Sequence, residues 1–128
     1  PNFVRQALAG EPLTVYGTGE QTRSFADVAD VVSAFLSLLN EPKAVGDIYN
    51  IGNPEEVSIL QLAKHVIELT GSASSILTVP YEEAYESGFE DMPRRVPDIS
   101  KINNLTGWSP TLALSDILDR VVTHMKTV

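Results

Sequence analysis

The chain has 128 residues, 43% of them hydrophobic, enough for one folded domain with a single core. Seventeen acids against nine basic residues leave a net charge of −8, which argues against a nucleic-acid partner or an anionic-membrane surface. The absence of cysteine excludes disulfides, thiolate metal sites and cysteine nucleophiles, and with only His65 and His124 no metal site is expected.

That cysteine usage fits a reducing cytoplasm, the expected location. No apolar run approaches the roughly 20 residues needed to span a bilayer. Phe3 to Gly10 reads as a helix beginning at the start of the chain, with Gly10 placed to end it. A chain that opens inside a helix reads as part of something longer.

Leu13 to Tyr16 favour a strand and run into a turn bracketed by Gly17 and Gly19. A short extended piece carrying Arg23 follows. Turn glycines permit positive φ and close backbone approach. A planar, five-donor guanidinium just beyond such a turn suits phosphate or carboxylate. The segment is a candidate anion-recognition hairpin, although by itself its composition fits a plain surface hairpin with a solvated arginine better.

Between Asp27 and Asn40, Val28, Val31, Val32, Phe35, Leu36 and Leu39 recur at helical spacing as one apolar stripe. Asp27 or Asp30 suits the positive end of that helix, and Pro42 stops it. Gly46 to Gly52 reads as a short, mostly buried strand. Ser58 and Gln61 form a capping box for a helix reaching about Thr70, with Gly71 closing it and Val57 and Leu62 at the staple positions.

Ile76 to Val79 reads as a strand, and residues 81–92 as an acidic loop with room for a helical turn. Pro93 to Ile99 reads as an extended basic segment. Ser100 is expected to cap a short helix ending near Thr106, with Asp98 structural at its start and Trp108 anchoring the connector. Ser115 is expected to cap a last helix with the stripe Leu114, Ile117, Leu118, Val121, Val122 and Met125. Short strands each followed by a helix define an α/β (α+β) chain with a small mixed sheet and about five helices. So thin a sheet suggests a satellite of a larger partner.

No Gly-x-Gly-x-x-Gly, Tyr-x-x-x-Lys, Gly-x-Ser-x-Gly or Walker loop occurs. No catalytic residue and no cofactor site is therefore expected in this chain. Tyr16, Arg23, Asn50, Arg94 and Arg95 lie beside glycines or prolines, where ligand-binding loops sit. Arg23 and Arg95 are the pair able to clamp one diphosphate, each charge-assisted hydrogen bond contributing roughly 1.5–3 kcal/mol. That outweighs a diffuse negative field screened over about 8–10 Å. The competing reading pairs Arg94 and Arg95 with the acids at 82, 83, 86, 90 and 91, as surface ion pairs worth about 0–1 kcal/mol. Tyr16 reads more readily as a core or edge-strand residue than as a base platform.

Several motifs stand in a shared order: Gln6-Ala7-Leu8-x-Gly10-Glu11-Pro12-Leu13-x-Val15-Tyr16-Gly17, Gln21-Thr22-Arg23-x-Phe25, Val28-x-Asp30, Tyr49-Asn50-Ile51-Gly52-Asn53-Pro54-Glu55-Glu56, Arg95-x-Pro97-Asp98-Ile99 and Leu105-x-Gly107-Trp108-x-Pro110. In these the chain resembles the C-terminal part of extended short-chain dehydrogenase/reductases acting on nucleotide sugars, of the UDP-glucuronate decarboxylase and dTDP-glucose dehydratase types. The resemblance implies the substrate-binding subdomain of an NAD(P)-binding Rossmann-type enzyme, with residues 1–128 as one nucleotide-sugar-binding domain.

It implies that Leu13, Val15 and Tyr16 meet the base and ribose, that Arg23 and Arg95 hold the diphosphate, and that Asn50 lines the nucleotide side. The implied partners are a UDP- or dTDP-sugar and a Rossmann half lying upstream, which would carry NAD and the Tyr-x-x-x-Lys pair. Alone, the chain would be catalytically silent. It departs from the family at Ala29, where an acidic or small polar residue is usual, so an altered helix cap is expected. The alternatives are an interaction or regulatory module that kept the fold without the ligand, and self-association through the surface meant for the Rossmann half.

Overall fold

The computed structural model describes residues 1–81 and 91–127. The expected helical turn in the acidic loop, with the acids at 82, 83, 86 and 90, lies outside the described residues. In chain order the elements are α1 (Asn2–Ala9), β1 (Leu13–Tyr16), β2 (Thr22–Ser24), α2 (Val28–Leu39), a 3-10 turn (Pro42–Ala44), β3 (Glu56–Ser58), α3 (Ile59–Thr70), β4 (Ile76–Val79), α4 (Ser100–Thr106) and α5 (Leu114–Thr127). This is a mixed α/β chain with five α-helices and short strands among the described residues. Its contacts form two compact units, one of Pro1–Arg23, Val57–Arg94 and Leu118–Val128, the other of Ser24–Glu56 and Arg95–Ile117.

In the first unit β1 pairs in parallel with β4, Leu13 opposite Ile76 and Tyr16 opposite Val79. Parallel strands need a crossover, and α3 lies on it. Leu13 and Val15 point inward and are fully buried, with Val4 and Ala7 of α1, Leu62, Ala63 and Val66 of α3, and Leu118 and Val122 of α5. The α3 start is set locally: Ser58 Oγ accepts the Gln61 N–H and Gln61 Oε1 accepts the Ser58 N–H.

The expected hairpin does not form. Past the Gly17–Gly19 turn the backbone is claimed by the start of α3. The Leu60 N–H donates to the Gly19 carbonyl and the Ile59 N–H to the Gln21 carbonyl. Accordingly, β2 pairs with β3 rather than folding back on β1.

The second unit packs around Ala34, Ile102 and Trp108, with Leu38, Tyr49, Ile51 and Ile99 against them. Asp27 caps α2 by accepting the Ala29 N–H at 2.8 Å, so Ala29 leaves the cap intact. The apolar stripe of α2, however, faces outward: Val28, Val32, Phe35, Leu36 and Leu39 are all exposed, Leu39 at 81%. The inward face is Asp30, Ala34 and Leu38. Polar anchors turn the helix this way. The buried Asp30 carboxylate accepts the N–H groups of Thr111 and Leu112, and the Trp108 indole donates to Ser33 at 2.9 Å.

Gly46 to Gly52 is not a strand, and Ile48 is 83% exposed. Only Tyr49 and Ile51 turn toward the core. Lys101 fastens the segment, reaching Asp47 and the Ile48 carbonyl with its ammonium 4.9 Å from the Tyr49 ring centre. Gly52 is required there because a Cβ would come within 2.8 Å of the Pro97 ring.

Two helix caps differ from expectation. Ile99 occupies the cap position of α4, and the Asp98 carboxylate takes the Ser100 N–H at 2.9 Å. Ser115 lies inside α5, whose approach is held by Asp116 accepting the Ala113 N–H and by Glu55 accepting the Leu114 N–H. A carboxylate is the stronger acceptor and displaces the serine hydroxyl from the role.

Candidate functional site

Of the expected ligand-contacting residues, Leu13, Val15, Tyr16 and Arg23 belong to the first unit, and Asn50 and Arg95 to the second. On β1 the Leu13 and Val15 side chains are fully buried, so these positions can offer a ligand backbone only. Tyr16, at the strand end, is 39% exposed.

Beyond Tyr16 the Tyr81 ring lies against the Gly17 backbone, where any Cβ would strike it. The Gln21 side-chain amide donates to the Tyr16 carbonyl at 3.0 Å and to the Tyr81 hydroxyl at 2.9 Å. That hydroxyl donates to Asp91 Oδ2 at 3.2 Å, and Asp91 Oδ1 ion-pairs with Arg23 Nη2. Nη1 of Arg23 donates to the Thr22 and Met92 carbonyls at 2.7 and 2.8 Å. Arg23 is therefore not a solvated arginine: its side chain is only 22% exposed. Three of its five N–H groups are engaged. The Nε–H and the second Nη2–H have no acceptor among the described residues.

In the second unit Asn50 is exposed and donates to the Asp98 carbonyl at 3.3 Å. Arg95 is exposed, with no hydrogen bond or ion pair among the described residues. Hydrogen bonds from the Ser100 side chain and N–H hold the Asp98 carboxyl below its ordinary pKa of 3.8. The hydrogen bond from Lys101, then that from the Ile48 N–H, does the same for Asp47. No group of three metal-ligating side chains occurs among the described residues.

Sequence reasoning did not single out Gln21 or Tyr81, and it set Asp91 among the acids pairing with Arg94 and Arg95, whereas Asp91 ion-pairs with Arg23. Gln21 sat inside a recognised motif, which was a usable signal. Tyr81 sat in a stretch without periodicity and gave none, and the acidity of that stretch did not tell which arginine Asp91 would meet.

The five helices and short strands make a mixed α/β frame of the kind found in parts of Rossmann-type epimerases and dehydratases. The family model described as the NAD dependent epimerase/dehydratase family matches residues 1–52. That match, together with the relatives and solved structures below, supports a fragment of an NAD-dependent extended short-chain dehydrogenase/reductase.

The chain is 38% identical over 128 residues to a UDP-N-acetyl-alpha-D-glucosaminuronate decarboxylase of Bacillus cytotoxicus, covering 100% of this chain and 40% of the relative. It is 41% identical to UDP-glucuronic acid decarboxylase 1 of Xenopus tropicalis, over 98% of this chain and 28% of that one. Among solved structures it matches UDP-glucuronic acid 4-epimerase of Bacillus cereus, in complex with UDP-glucuronic acid and NAD. There the TM-score is 0.86 and the identity 29%, over 98% of this chain and 38% of that one. The chain spans less than half the length of the curated relatives it matches. No helix among the described residues is long and apolar enough to cross a membrane.

Proposed function

We propose that residues 1–128 form the nucleotide-sugar-binding domain of an NAD-dependent sugar epimerase, dehydratase or decarboxylase, working in the cytoplasm and not catalytic alone. Similarity to UDP-sugar decarboxylases and to an epimerase with UDP-glucuronic acid supports this reading. The observation that carries it is the anchored Arg23, half-buried one short turn beyond Tyr16, with two donors still to place. In this reading the β1 backbone and Tyr16 receive the base and ribose, Arg23 and Arg95 take the diphosphate, and Asn50 lines the nucleotide side.

This chain's residues do not fit a dinucleotide site, because the glycine-rich fingerprint is missing from its sequence. NAD and the acid/base pair belong to a Rossmann half. The exposed apolar face of α2 supports a body of that kind covering it. The second reading is an interaction or regulatory module that kept the fold without the ligand; the same face also suits self-association through the surface meant for the Rossmann half.

Titration with UDP-glucuronic acid and dTDP-glucose separates the two. Saturable binding, with no NADH formation or sugar turnover by the chain alone, is expected. An intact fold with no saturable binding at millimolar ligand would overturn the proposal.

A further inference from the structure

We infer that Asp91, steadied by Tyr81, is a positioning residue that sets Arg23 for a phosphate before any ligand arrives; this rests on the nucleotide-sugar reading above. An arginine on a short surface strand has many rotamers, and freezing them on binding weakens a ligand. Here both Nη1 hydrogens sit on carbonyls of Thr22 and Met92, and Nη2 sits on Asp91.

Asp91 is held in turn. The Tyr81 hydroxyl donates to its second oxygen, the Gln21 amide fixes that hydroxyl, and the Tyr81 ring rests on Gly17 at the end of β1. The contacts run unbroken from the Tyr16 carbonyl to the guanidinium. The carboxylate also cancels most of the arginine's charge. The two remaining N–H groups then recognise an anion by geometry more than by net charge, which favours a phosphate ester over an arbitrary anion.

The test uses the isotope-labelled chain and two readouts. Without ligand, the Arg23 Nε–H resonance should be that of an immobilised side chain and should move to the free-arginine position in Asp91→Ala. In titrations, Asp91→Ala should weaken UDP binding about tenfold. Asp91→Asn, which keeps an acceptor, should weaken it less, and uridine affinity should not change. Tyr81→Phe keeps the ring on Gly17 and loses the hydroxyl, and should fall between wild type and Asp91→Ala on both readouts.

An Arg23 resonance indifferent to Asp91→Ala would overturn the inference. So would UDP binding as tight or tighter in either Asp91 variant, which would make the carboxylate a competitor of phosphate. An equal loss for uridine would show a general structural effect and overturn it as well. A wild-type chain with Arg23 immobilised and no UDP binding would instead sink the nucleotide-sugar reading, leaving the anchoring supported by the resonance.

Discussion

The Asp30 carboxylate accepts both the backbone N–H and the hydroxyl of Thr111, at 3.1 and 2.8 Å, across 81 positions of sequence. Asp30 is only 4% exposed, so the bond is made where water competes little. Replacing it by alanine orphans the N–H groups of Thr111 and Leu112. We expect Asp30→Ala to lower stability by about 3 kcal/mol and Asp30→Asn by about 2 kcal/mol in urea denaturation. A loss under about 0.5 kcal/mol, typical of a surface change, would contradict the anchoring role.

The outward face of α2 makes a different prediction. Phe35 and Leu39 contribute little to the core, so Phe35→Glu with Leu39→Glu should change stability by no more than about 0.5 kcal/mol. If the chain self-associates through this face, the same pair should abolish the concentration dependence seen in sedimentation. Unfolding by the double variant would place these side chains in a core instead.

The α3 cap is a local device. Ser58→Ala removes the acceptor for the Gln61 N–H and should cost about 1 kcal/mol, read by thermal or urea unfolding. Ser58→Asp should restore it, since aspartate caps equally well.

Asp47 and Asp98 predict a pH dependence. Their folded pKa values lie below 3.8, so both contribute stability that is fully present above that value. It is lost as pH falls below 3.8 through the depressed folded values. The melting-temperature gap between wild type and Asp98→Asn should be constant at neutral pH and shrink as pH falls below 3.8. A gap that persists in acid would show that the carboxylate's charge is not the cause.

What was legible in the sequence was local. The capping box, the glycines ending α1 and α3, and the strands at Leu13 and Ile76 depend on neighbours a few residues away. Apart from the two helix caps taken over by nearby carboxylates, the larger misreadings turned on distant partners. β1 chose β4 over the nearby β2 because α3 claimed the backbone beyond the turn. The α2 stripe faced outward because Asp30 and Ser33 are tied to Thr111 and Trp108.

The site divides the same way. Arg23 was conspicuous beside its glycine turn, whereas its anchor Asp91 lies 68 positions on, in a stretch with no pattern. Leu13 and Val15 were read as ligand-facing from a motif, and only their full burial limits that contact to the backbone.

The nucleotide-sugar assignment is tested most directly by mapping backbone amide shifts of the labelled chain during titration with UDP-glucuronic acid. The account predicts saturable shifts concentrated at Leu13 to Tyr16, Arg23, Asn50 and Arg95, and their loss in Arg23→Ala. Shifts confined to the α2 face, or none at millimolar ligand with the fold intact, would contradict it.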